Sequence, residues 1–221
     1  MSFKFFKYPQ QAIFGKVLPK AKIYEFTKPN NAVKKLFIKQ VDQIVWEYKL
    51  SPETINIPPG EDVQEIQILK MQLRVPDVDK RIFQVIDQAI PSHTFYEIVF
   101  ANKLKLIAAY KRPSDADVSK WVTAVYFESD WLTSSAEKRS LPISLNMGSL
   151  YAQMLREIIP TRARPSESLR EQVNRLELIH HRKAEIDKLK VRLNKENQFN
   201  IKLEINSKLR EIQRSINELL D

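Results

Sequence analysis

Beyond residue 160 the apolar residues keep a coiled-coil rhythm, and that rhythm leaves this part of the chain few folds to choose from. Ile205, Leu209, Ile212, Ile216 and Leu219 advance by 4, 3, 4 and 3, which sets them on one seam of a helix. Upstream, Leu169, Val173, Leu176, Ile179, Ile186, Leu189 and Leu193 follow nearly the same repeat. No proline follows Pro165 and no glycine follows Gly148, so nothing there breaks a helix. The polar stretch 194–198 separates the two seams. An antiparallel, coiled-coil-like helical hairpin buries both, its first helix running ~27 residues, or roughly 40 Å. Residues 199–205 alternate with period two and read either as a strand or as helix buried on both sides.

The chain upstream has another composition. Of 21 Phe, Trp and Tyr residues, 20 precede residue 161. This predicts a globular domain over 1–160 and the hairpin over 161–221. In the first, residues 22–26 read as a strand or short extended piece. An amphipathic helix is predicted from Ala32 to about Leu50, since Val33, Leu36, Phe37, Val41, Ile44 and Val45 recur mostly at helical steps. Residues 65–73 read as a strand buried on two sides or carrying a bulge. A helix follows Pro76 and stops at Pro91. Runs 95–100 and 104–110 form a hairpin, 121–127 a further strand, and Leu150, Tyr151, Met154, Leu155 and Ile158 a helical stripe. The fold class is α+β, a mostly antiparallel sheet with helices.

Composition removes several kinds of chemistry. There is no cysteine, so no disulfide framework, thiol nucleophile or Cys-based metal site. Three scattered glycines, Gly15, Gly60 and Gly148, do not make a phosphate-cradling loop. Adjacent His180 and His181 do not share a helix face, and His93 stands alone in a link, where a surface or turn role is expected. No metal and no cofactor is expected. No run approaches the ~20 apolar residues of a membrane span, and no signal segment opens the chain. A cytoplasmic protein with no membrane partner is expected.

The net charge of +9 is concentrated: residues 1–50 carry ten lysines against three carboxylates, a net +7. Lysine is a strongly hydrated point charge that suits phosphates or acidic surfaces. Lys16, Lys20, Lys22, Lys34, Lys35 and Lys39 are candidates for tracking a phosphate backbone; a solvated face or a dock for an acidic partner fits the same pattern. The rings among them, Phe3, Phe5, Phe6, Tyr8 and Phe14, could stack bases, although anchoring a terminal strand to the core is the favoured reading. Lys111 and Arg112 are further phosphate candidates, or partners of Asp115 and Asp117. Trp46, Trp121 and Trp131 read as core. Glu47, Glu97 and Lys111, with the triplet Glu47-Tyr48-Lys49, invite a Mg²⁺-dependent nuclease reading, which the placement of the triplet at a predicted helix end disfavours. On the tail, Leu176, Leu189, Ile205, Leu209, Ile212 and Ile216 are candidates for binding a partner protein.

Several runs together resemble a bacterial family of unknown function, domain of unknown function 4391. They include Gln40-Val41-Asp42-Gln43-Ile44-Val45-Trp46, Ile86-Asp87-Gln88-Ala89-Ile90-Pro91, Ala109-Tyr110-Lys111-Arg112 and Lys195-Glu196-Asn197-Gln198-Phe199-Asn200. The resemblance implies a setting beside helicases and DNA methyltransferases in defence islands and carries no catalytic residues with it. The expectation is a non-catalytic accessory or adaptor subunit of a DNA-acting bacterial defence or restriction complex. It would bind nucleic acid, a larger protein such as a helicase or methyltransferase, or both. A Mg²⁺-dependent nuclease and a pure protein–protein adaptor are the alternatives.

Overall fold

In a computed structural model, residues 4–114, 116–117 and 121–220 are described. The chain divides into two compact units, Met1–Pro160 and Thr161–Asp221.

The first unit is built on one mixed sheet. Its strands are β2 (Ile13–Val17), β3 (Val41–Leu50), β4 (Ile66–Leu73), β5 (His93–Phe100), β6 (Lys103–Pro113) and β7 (Trp121–Glu128), in spatial order β2-β3-β4-β5-β6-β7. A short β8 (Leu132–Thr133) also pairs with β6. Only β4 and β5 run parallel, joined by α4 (Lys80–Ala89); the other pairings in this sheet are antiparallel. Strands β1 (Phe6–Lys7) and β9 (Arg139–Ser140) form a separate parallel pair. Helices α1 (Lys20–Thr27) and α2 (Asn31–Gln40) join α4 over one core, where Ile23, Phe37, Phe83 and Ile86 meet Ile44, Met71, Tyr96 and Ile107. A four-residue helix α3 (Pro52–Ile55) follows β3, and α5 (Met147–Arg156) packs against β6.

Local chemistry starts these helices where the sequence places polar caps. The Asn30 side chain accepts from Val33 N–H, the Asp79 side chain from Arg81 N–H, and Asn146 with Ser149 forms a reciprocal capping box. Close backbone contact replaces side-chain packing between two glycines far apart in sequence. A Cβ on Gly60 would lie 2.6 Å from Gly148 N and 3.0 Å from its Cα. The Met147 N–H donates to the Pro58 carbonyl at 2.9 Å beside them.

The sheet overrides the local pattern at two places. The helix predicted from Ala32 to about Leu50 ends at Gln40, and 41–50 is strand β3. This run is rich in β-branched and aromatic side chains and is hydrogen-bonded on both edges, by β2 and β4. Residues 22–26, read as extended, lie inside helix α1. Strand β4 is buried along nearly its whole length, as expected of a strand covered on two sides, and the irregularities in its pairing with β3 fall between Val41 and Gln43 and between Trp46 and Tyr48.

The second unit consists of α6 (Leu169–Lys195) and α7 (Phe199–Leu220), which pack against each other. A Ser168–Glu171 capping box starts α6. Residues 199–205 are helical, with Ile205 buried while Phe199 and Leu203 are exposed. The alternation there arises because this turn carries apolar groups on two sides of the helix. The Arg175 guanidinium clamps the open end of the hairpin. It donates to Glu167 at 2.7 and 2.8 Å, to the Leu219 carbonyl at 2.9 Å and to the Arg162 carbonyl at 3.0 Å. That bidentate pairing holds the Glu167 carboxyl down at about 2. Among the described residues no helix is long and apolar enough to cross a membrane.

Candidate nucleic-acid interface

Seven of the ten lysines of the first fifty residues lie on, or at the end of, three consecutive elements: the edge strand β2 and helices α1 and α2. Strand β2 is an edge strand with all five residues exposed, and it presents Lys16. The Lys16 ammonium sits 4.8 Å from the centre of the Phe14 ring, which lies 5.1 Å from the Trp46 ring on β3. The Trp46 indole is oriented by a 2.8 Å hydrogen bond from its Nε1 to Gln67 Oε1. Helix α1 carries Lys20, Lys22 and Lys28 at or just beyond its ends. On α2, Lys34 stands 5.8 Å from the centre of the Tyr24 ring, and Lys35 and Lys39 share a side four residues apart.

Several lysines of this unit have no carboxylate within ion-pair distance among the described residues, Lys7, Lys28, Lys80, Lys103 and Lys138 included. Among the described residues Lys16, Lys22, Lys34, Lys35 and Lys39 form no ion pair. Lys49, Lys70, Arg74, Lys105 and Arg139 each meet a carboxylate. Unpaired lysines on one edge sum to an outward positive field. Lys20 differs: it turns inward and donates to the Val41 carbonyl at 2.5 Å, and burial with the nearby Arg74 charge lowers its pKa.

Beside this edge lies a groove of about 280 Å³, walled by Ile23 and Phe26 of α1, Trp46 of β3 and the segment after α4, with Lys22 on its lining. Phe26 is 76% exposed. Sequence reasoning did not single out Phe26. Once residues 22–26 are placed on a helix, its position three residues beyond buried Ile23 becomes meaningful.

Other expected contacts lie elsewhere. Phe5, Phe6 and Tyr8 are buried and anchor the N-terminal segment, while Phe3 lies outside the described residues. Lys111 is a correction. It is 2% exposed and its ammonium lies 2.7 Å from Asp87 Oδ1, so it does not reach phosphate at the surface. It also donates to the Ser92 carbonyl at 2.6 Å and to Thr94 Oγ1 at 3.2 Å, and the Tyr96 and Tyr126 hydroxyls donate to the same Asp87 carboxylate. A buried ammonium is held only where oxygens replace its water, and this site supplies them. Arg112 donates to the Pro113 carbonyl at 3.1 Å and is half-buried. Asp115 lies outside the described residues. His93, expected at the surface, is buried in β5, edge-on to Trp121 and Tyr151 and 3.1 Å from the Lys111 carbonyl. Burial and the Lys111 charge lower its pKa to about 4.

Of the set Glu47, Glu97 and Lys111, the two carboxylates come close enough to interact, but Lys111 is not brought to them. Tyr96 reaches the Asp87–Lys111 pair, and its neighbour Glu97 points to the opposite face of the strand. The Glu47-Tyr48-Lys49 triplet lies on β3 rather than at a helix end, but the register shift at Trp46/Tyr48 splits it. Glu47 meets Lys70 at 3.6 Å and Lys49 meets Glu65 at 2.6 Å. Glu97 is buried, its Oε1 lacks a hydrogen-bond partner among the described residues, and burial raises its pKa.

Of the tail residues expected to bind a partner, Leu176, Ile205, Ile212 and Ile216 are buried within the second unit, whereas Leu189 and Leu209 are half-buried. Val191, Phe199 and Leu203 are the exposed apolar residues nearest the hairpin turn, and Phe199 is the one aromatic beyond residue 160.

No curated protein and no solved structure matches the chain. The family model described as Domain of unknown function (DUF4391) matches residues 6–216.

Proposed function

We propose that this chain, which belongs to the DUF4391 family, is a non-catalytic accessory subunit that contacts nucleic acid through the lysine edge of its first unit. One observation carries the reading: Lys16, Lys22, Lys34, Lys35 and Lys39 stand without carboxylate partners on adjoining elements, beside an exposed aromatic ring. A polyanion satisfies such a surface by releasing its own counterions. Exposed Phe199 and Leu203 near the hairpin turn offer a second surface, suited to an apolar patch on a larger protein such as a helicase or methyltransferase. Placement in a cytoplasmic bacterial defence or restriction complex rests on the resemblance of the sequence alone. Titration of labelled DNA at low salt tests the proposal. Binding that weakens steeply as salt rises is the expected result; no binding at low salt overturns it and favours a pure protein–protein adaptor.

A further inference from the structure

We infer that the groove beside the lysine edge receives an unstacked base, so that the preferred ligand is single-stranded nucleic acid. This rests on the reading of that edge as a phosphate-contacting surface. A duplex keeps its base faces stacked on one another, whereas a single strand can lay a base against an aromatic ring. The groove offers two such rings, Trp46 and Phe26, together with Ile23 and Pro91, in a space of about 280 Å³. That is near the small end of ligand pockets and suits one planar base. Lys22 lines the groove, and Lys16 is the cross-strand register partner of Trp46, its ammonium over the Phe14 ring, so cations stand beside the rings where adjoining phosphates would run. None of these cations is an arginine, which fits phosphate contact without forked readout of base edges.

The groove is preorganised. Gln67 holds the Trp46 indole. The Lys111 ammonium, its side chain 1% exposed, donates to the Ser92 carbonyl at 2.6 Å and the Ile90 carbonyl at 3.5 Å, tying down the segment that forms one wall. The charge of the rim selects against a neutral apolar peptide.

Fluorescence anisotropy on the full chain tests this, with a labelled thymidine oligomer of about 15 nucleotides, a duplex of the same length and labelled poly-glutamate. The single strand is expected to bind more tightly than the duplex at equal salt. Phe26→Ala is expected to weaken it by about five- to 150-fold, the equivalent of one stacked base, and to leave the duplex unaffected. Saturating single strand quenches tryptophan emission, and Trp46→Phe removes the quench. Equal binding of single strand and duplex, with Phe26→Ala silent, overturns the groove inference while the lysine edge stands. Absence of binding by either overturns both. Poly-glutamate binding as tightly as the single strand, with the same loss on Phe26→Ala, makes the groove a dock for an acidic protein and also overturns the inference.

Discussion

The Lys111 ammonium lies 2.7 Å from Asp87 Oδ1, with 1% and 2% of their side chains exposed. Removing one partner of such a pair strands the other in a site built to be charged. Lys111→Ala is expected to destabilise the first unit by about 3–5 kcal/mol, read as a lower urea midpoint. Wild-type stability in Lys111→Ala would show that the pair is not formed. A loss of any activity in this variant therefore has to be separated from a loss of fold.

His93 gives the protein a stability that depends on pH. Its folded pKa, about 4, lies below the ordinary value of 6.5, so the unfolded chain binds the proton more readily. The contribution is fully present above pH 6.5 and is lost as pH falls towards 4, by about 3 kcal/mol in all. Glu97 works in the opposite sense, since burial raises its carboxyl and its protonated form favours the folded state. The measurement is therefore the difference between wild type and His93→Gln in urea midpoint from pH 7 to 4. That difference should shrink as the pH falls, and a constant difference refutes the assignment.

Gly60→Ala is expected to destabilise although alanine is the smallest possible addition. The new methyl would meet Gly148 backbone at 2.6 Å, and backbone cannot rotate aside as a side chain can. Overpacking of this kind costs about 1–3 kcal/mol. A thermal midpoint equal to that of the wild type would show that the loop yields freely.

Neutralising the α2 lysines should change the salt dependence of binding more than the fold. With Lys34→Gln, Lys35→Gln and Lys39→Gln combined, the slope of log affinity against log salt should fall by about 0.7–0.9 for each lysine that contacts phosphate. An unchanged slope with unchanged circular dichroism places the nucleic acid elsewhere.

Arg175→Lys tests the hairpin clamp. Lysine keeps the charge but loses the planar fork that reaches Glu167 and two carbonyls at once. Faster amide exchange at the end of α7 is expected, and unchanged exchange there refutes the role.

Much of the fold was legible because its signals are local. The α4 stripe, the β5–β6 pair and the heptad seams of α6 and α7 each depend on residues a few positions apart, and the structure places them where the pattern puts them. The misreading of 41–50 has a definite cause: Val41, Ile44 and Val45 satisfy a helical spacing, but the hydrogen bonds that decide the matter come from β2 and β4. The candidate interface was half legible. Its lysines stand out as a charge bias, whereas Phe26 and the groove emerge only when α1, β3 and the end of α4 converge.

By itself the sequence determined the heptad hairpin, the cysteine-free and glycine-poor chemistry and the positive bias of the first fifty residues, because periodicity and composition belong to the chain before it folds. Tertiary structure alone decided which charges are usable. Lys111 and Lys20 are lysines like Lys16 and Lys35, yet the first two are consumed by Asp87 and backbone carbonyls while the others meet no carboxylate among the described residues. The physical reason is desolvation: a cation drawn into the protein must find its oxygens there, and only one left at the surface can offer its charge to another molecule.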